Sequence, residues 1–301
     1  MEHTTFGRTG LKVSKLGLGG APIGGDFGRS DESEIERVIH EALDLGINFI
    51  DTAPLYGRGK SEERIGRALA GTRRHDVVLA TKAVRSDLSY DYQSTMQSVE
   101  DSLTRLRTDW IDLLQLHDVE SQPPQLILNE TIPALLKLRE QGKIRYLGVT
   151  TRNLPLLKMY METGVFDAIQ FYARYMLLDF SARREILPLA KELNLGVING
   201  SILGMGLLAD APAAFLGEAI IQEAASRMEQ LSWLRQSEPR GLIEPAMRFS
   251  LSQPDIHVSL TGTASLSSLR TNAAYCDGAG MREEDLSRIY ELFHNVPSLF
   301  P

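Results

Sequence analysis

Eight short apolar runs recur along this chain, each separated from the next by a stretch with helical periodicity, and this alternation limits the possible folds more than any other feature. The runs are LGLGG (16–20), NFID (48–51), VVLATK (77–82), IDLLQLH (111–117), IRYLGVT (144–150), AIQFY (168–172), GVIN (196–199) and IHVSL (256–260). They do not alternate strictly between polar and apolar residues, so they are expected to be strands of a parallel sheet buried on both faces. Ile35, Val38, Ile39, Ala42 and Leu43 share one helical face, as do Met96, Val99, Leu103 and Leu106, which suits helices covering such a sheet. Asp31 followed by Glu34 resembles a capping box, and Gly46, Gly71 and Gly142 stand where helices should stop. Between Gly200 and about Pro254 the chain is too long for one helix. A loop is expected there, then a helix near 218–236 and a second helical piece.

A closed (β/α)8 barrel needs about 250 residues, and the 301 residues here accommodate one. No Pro- or Ser-rich linker divides the chain, so a single α/β barrel domain over 1–301 is expected, its N-terminal segment closing the bottom and long loops at the C-terminal face. An open doubly wound sheet is the rival architecture. The net charge of −7 without a basic block argues against a nucleic-acid partner. No apolar run approaches the length of a membrane span and Met1 leads into a polar stretch, so no membrane association and a cytoplasmic location are expected. The single cysteine, Cys276, and six scattered histidines without ligand spacing lead to an expectation of no metal.

Asp51, Lys82 and His117 each close an apolar run, 31 and 35 residues apart, about one strand-plus-helix unit each. Side chains at the C-terminal ends of neighbouring barrel strands converge on one cavity. Tyr56 follows in the loop after the second run. A phenol ordinarily ionises near pH 10, but an ammonium at about 4 Å would lower that by about 3 units at an effective dielectric of about 20. Tyr56 is therefore expected to exchange a proton near neutrality, with Asp51 keeping Lys82 charged and His117 bonding the reacting oxygen. Singly, an acid in D-T-A-P reads as a turn cap and a tyrosine in L-Y-G as a loop residue. Together, at strand ends, they read as a proton-transfer centre.

Through GINFIDTAPLYGRGKSEERIGRAL, VVLATK, TDWIDLLQLH, LLKLREQGKIRYLGV and a downstream GLL, the sequence resembles the aldo-keto reductase family over nearly its whole length. That resemblance implies a (β/α)8 barrel with a nicotinamide cofactor, and places Asp51, Tyr56, Lys82 and His117 on the family's catalytic tetrad. It also implies cofactor contacts from Thr150, Thr151, Gln170, Ser201, Leu203, Gly206, Gly262, Thr263, Ser268 and Asn272. Gly200 stands where the family carries a stacking aromatic. Gly262 and Ser268 stand in place of the basic residues that hold the adenosine 2′-phosphate, which points to NAD over NADP, although Arg270 could still reach such a phosphate. GMGLLA at 204–209 matches a dinucleotide fingerprint of open sheets but lacks its βαβ frame, and reads as a structural turn.

Within the family, LHDVES, ETIPALLKLREQGKIRYLGVTT and GSILGMGLL look most like the aldose 1-dehydrogenases of the L-galactose, L-fucose and D-threo-aldose branch. The resemblance implies oxidation of the anomeric carbon of a small-molecule sugar to its lactone. Asp118, Tyr172 and Arg174 follow strand ends and are candidates for sugar-hydroxyl contacts. The alternatives are an NADPH-dependent aldehyde or ketone reductase, a cofactor-binding regulatory subunit with little turnover, and a barrel aldolase using Lys82 as a Schiff-base nucleophile.

Overall fold

The structure is a computed structural model that describes residues 1–28, 31–85, 87–238 and 240–300. Strands β1 (His3–Thr5) and β2 (Lys12–Ser14) form an antiparallel hairpin. Eight strands follow: β3 (Leu16–Gly19), β4 (Phe49–Asp51), β5 (Val78–Ala83), β6 (Ile111–Leu116), β7 (Ile144–Thr150), β8 (Ala168–Tyr172), β9 (Gly196–Gly200) and β10 (Val258–Gly262). All eight pair in parallel with both neighbours, and β10 bonds to β3 as well as β9, closing a barrel. The open-sheet alternative is thereby excluded. Each expected strand is present, the last displaced by two residues, with Ile256 buried just ahead of β10.

The intervening helices start and stop where local chemistry dictates. Asp31 caps Glu32–Asp44 through its Oδ1, which accepts from the amides of Ser33 and Glu34. Gly46, Gly71 and Gly142 all have positive φ at or just beyond helix ends. The helix expected near 218–236 is shorter, Glu218–Glu229, followed by a 3₁₀ turn at Ser232–Leu234 and the helix Ile243–Leu251.

Two apolar layers hold the barrel. The larger lies between strands and helices and contains Ile50, Leu79, Leu114, Ile169 and Val197. The smaller fills the barrel floor, where Phe6, from the turn between β1 and β2, packs with Val13, Phe49, Val78, Leu113, Ile198 and Val258. A side chain on Gly196 would come within 2.5 Å of the Phe6 ring, so this strand start must be glycine. The hairpin is thus the floor of the barrel.

Candidate active site

Because side chains alternate along a strand, the residues two positions beyond the apolar floor also point inward. Above Phe49 stands Asp51, above Ala80 stands Lys82, and above Leu113 stands Gln115 and then His117. Thr150, Gln170, Tyr172 and Gly200 occupy the corresponding inner positions at the ends of β7, β8 and β9. The barrel interior therefore changes from apolar at the floor to polar at the C-terminal rim.

Lys82, 1% exposed, donates to Asp51 Oδ2 and to the Thr52 carbonyl, both at 2.8 Å. Asp51 Oδ1 accepts from Gln115 Nε2 at 2.9 Å. Gln115 faces Gly148 across β6 and β7, and a Cβ at Gly148 would sit 2.8 Å from Gln115 Cγ, so that glycine makes room for the amide. Gln115 went unnamed in the sequence reading. Its signal was a polar residue within an apolar run, two before His117 and therefore on the same strand face.

Tyr56 opens a tight turn after β4, with its ring centroid 5.0 Å from Lys82 Nζ and 5.9 Å from the perpendicular His117 ring. The four expected residues thus share one pocket at the rim of β4, β5 and β6. The expected acidification of Tyr56 is corrected: its pKa is pushed up to about 12. Burial is the largest cause and outweighs the ammonium, while Asp51 and Asp118 add to the rise. Burial alone would drive the Lys82 ammonium to release its proton, but the Asp51 carboxylate, with Tyr56, more than reverses this and keeps its pKa above the ordinary lysine value. His117 is held well below the usual imidazole range by burial and by Lys82, so the ring is neutral. Its Nδ1 is buried without a hydrogen-bond partner among the described residues.

Asp118 lies beside this group, its Oδ2 3.8 Å from His117 Nε2 and its Oδ1 buried without a partner. Burial and then Glu120 raise its carboxyl pKa to about 6. Tyr172 is partly exposed on the same rim. Arg174 is occupied elsewhere: it bonds the Arg152 carbonyl and Ser298 and pairs with Asp179 at 3.6 Å, so it ties down the C-terminal segment.

The residues expected to hold a nicotinamide dinucleotide lie at or just after the ends of β7–β10, in the loop after β9 and, for Ser268 and Asn272, in the helix Leu266–Ala274. Gln170 Oε1 is buried without a partner, an acceptor suited to a carboxamide N–H. Gly200 is buried, and a Cβ there would lie 3.1 Å from Tyr172 Cβ. Thr150 and Thr151 are buried, and the Thr151 hydroxyl accepts from the Asn153 amide. Ser201, Leu203 and Gly206 lie in the loop after β9. A side chain on Gly206 would come within 2.0 Å of the Ala211 carbonyl, and the 3₁₀ turn Leu207–Ala209 follows it. Gly262 ends β10, Thr263 accepts from the Ser265 amide, Ser268 is exposed and Asn272 is buried. Arg270, expected to be able to reach a 2′-phosphate, is paired with Glu41 at 2.7 Å. Among the described residues no group of three or more His, Cys, Asp or Glu could hold a metal ion, and no helix is long and apolar enough to cross a membrane.

The sequence model of the aldo/keto reductase family matches residues 15–293. The L-galactose dehydrogenase of Arabidopsis thaliana is 34% identical, over 99% of this chain and 96% of its own length. The D-threo-aldose 1-dehydrogenase of a Pseudomonas species is 30% identical, over 88% of this chain and 90% of its own. Among solved structures, aldo-keto reductase AKR11C1 from Bacillus halodurans, in its holo form, aligns with a TM-score of 0.77 at 27% identity, covering 97% of this chain and 96% of that one.

Proposed function

Given that the chain belongs to the aldo/keto reductase family of NAD(P)-dependent oxidoreductases, we propose that it oxidises the anomeric carbon of an aldose of the L-galactose or L-fucose type to the lactone, with Tyr56 moving the proton. The observation that carries this reading is the buried Lys82–Asp51 pair lying next to a phenol and a neutral imidazole at one barrel rim. A bound nicotinamide would supply the acceptor for the hydride of C1. Tyr56 in its ionised form, the phenolate that Lys82 stabilises, takes the proton from the C1 hydroxyl as the C1=O bond forms and becomes a neutral phenol, while neutral His117 hydrogen-bonds the C1 oxygen. The sugar's remaining hydroxyls need polar partners, and the free Oδ1 of Asp118 together with Tyr172 supplies them at this rim.

NAD is the proposed cofactor. A 2′-phosphate is held best by charge-assisted donors. Gly262 and Ser268 bring no charge, and the Arg270 guanidinium is engaged with Glu41. One observation favours a second reading, reduction of an aldehyde or ketone with NADPH: a phenol with a raised pKa is protonated at neutral pH and ready to act as an acid. A panel of L-galactose, L-fucose and simple aldehydes, run in both directions with both cofactors and followed at the reduced nicotinamide absorbance band, separates the two. The expected result is sustained sugar oxidation, faster with NAD than with NADP. Aldehyde reduction with NADPH and no sugar oxidation would replace the first reading by the second. Cofactor binding without turnover of any compound would favour the regulatory-subunit alternative.

A further inference from the structure

The turn that presents Tyr56 is held by its own backbone hydrogen bonds, from Tyr56 to the Ala53 carbonyl and from Arg58 to the Leu55 carbonyl, and also from outside. Gly57 and Arg58, directly after Tyr56, both lie in the left-handed region, with φ of 57° and 54°. That conformation is disfavoured for a long side chain such as that of Arg58 unless the surroundings impose it. Here the surroundings are the segment Ala21–Gly28, which follows β3. Both carboxylate oxygens of Asp26 accept from the Gly57 amide, at 3.1 and 3.2 Å. The backbone of Gly24 lies against the same residue, so that a Cβ on Gly57 would come within 2.2 Å of the Gly24 carbonyl. The other end of the segment reaches β10, where a Cβ on Gly262 would meet Pro22 at 2.7 Å.

The tip of this segment makes a second contact of a different kind. Phe27 and Phe215 are both large, exposed apolar side chains, 49% and 63% accessible, and their rings meet edge to face with centroids 5.8 Å apart. Phe215 belongs to the loop after β9, the loop that also carries Ser201, Leu203 and Gly206. One short segment therefore touches the Tyr56 turn through Asp26 and Gly24, the end of β10 through Pro22, and the β9 loop through Phe27.

We propose that Ala21–Gly28 is a strap that fixes Tyr56 in its reacting position, with Asp26 as the positioning residue and the Phe27–Phe215 contact as the latch tying it to the β9 loop. This rests on the assignment of Tyr56 as the proton-transfer group. Asp26 touches no reacting atom. It acts by keeping the Gly57 amide, and so the turn, in place. Through Phe215 the strap is joined to the loop that carries the expected cofactor contacts, so the placement of Tyr56 and of that loop are linked.

The test compares Asp26→Ala, Asp26→Asn, Phe215→Ala and Tyr56→Phe with the parent protein. The readouts are hydrogen exchange of the Gly57 amide and turnover of L-galactose with NAD and of p-nitrobenzaldehyde with NADH. Since small misplacement of a reacting group is costly, Asp26→Ala is expected to lower kcat about tenfold while KM for the substrate stays nearly constant. The same variant should speed exchange at Gly57. Asp26→Asn keeps an oxygen acceptor and should restore both readouts. Phe215→Ala should speed exchange at Gly57 although it lies far from it in sequence, and should weaken NADH binding as read by protein fluorescence. Unchanged exchange and unchanged kcat in Asp26→Ala, with Tyr56→Phe inactive in the same assays, would overturn the strap and leave the Tyr56 assignment standing. Equal losses in Asp26→Ala and Asp26→Asn would overturn positioning through the hydrogen bond, and an unaffected Gly57 amide in Phe215→Ala would overturn the latch. An active Tyr56→Phe would remove the assignment on which the strap depends.

Discussion

Replacing Lys82 by methionine is expected to cost about 3–5 kcal/mol of stability and to abolish turnover, since it leaves the Asp51 carboxylate uncompensated in the barrel interior. The two side chains are 1% and 2% exposed, so water cannot screen the charge that remains. Urea unfolding followed by far-ultraviolet circular dichroism measures the loss. A double variant, Lys82→Met with Asp51→Leu, removes the stranded charge and should recover part of the stability. The recovery is partial because Gln115 Nε2 then loses its acceptor. Both variants should be inactive, which separates the two roles of the pair. A Lys82→Met protein as stable as the parent would mean that the ion pair is solvated and the pocket differently arranged.

Tyr56→Phe should lower turnover by about 10²–10⁴-fold, the usual contribution of a positioned acid or base. Cofactor affinity should be nearly unchanged, because the substitution removes one oxygen and leaves the ring beside Lys82 and His117. The ring alone cannot move a proton. Fluorescence titration with NADH alongside steady-state kinetics distinguishes this from a folding defect. Unimpaired turnover would reassign the proton transfer to another group, with His117 first in line because its Nδ1 has no partner among the described residues.

Much of this arrangement was legible in the sequence because it depends on spacing. The apolar runs marked the strands, and an ionisable residue ending a run predicted a side chain at the barrel rim, which holds for Asp51 and Lys82 and, one residue past its strand, for His117. What spacing did not convey was depth. Coulomb's law applied to Lys82 and Tyr56 gave the wrong net direction for the phenol, because it omitted a desolvation cost that only the packed structure reveals. Gln115 was hidden because an amide inside IDLLQLH looks like an interruption, whereas it donates a hydrogen bond to Asp51 beside that of Lys82. Asp26, Phe27 and Phe215 were illegible for another reason. They sit on loops without periodicity, and the contact between Phe27 and Phe215 joins segments 188 positions apart through the closure of β9 and β10 onto β3.

The pH dependence of sugar oxidation probes the proton-transfer centre most directly. A phenol whose pKa lies above its ordinary value is almost wholly protonated at neutral pH, so the fraction able to act as a base grows with each unit of pH. His117 is already neutral in this range, and Asp118, with a carboxyl pKa of about 6, is already mostly ionised, so neither adds a step. Measured with L-galactose and saturating NAD, kcat/KM for the sugar is expected to rise about tenfold per unit between about pH 7 and pH 9. A profile that is level across that interval would contradict the ionised form of a buried, high-pKa Tyr56 as the group that takes the proton.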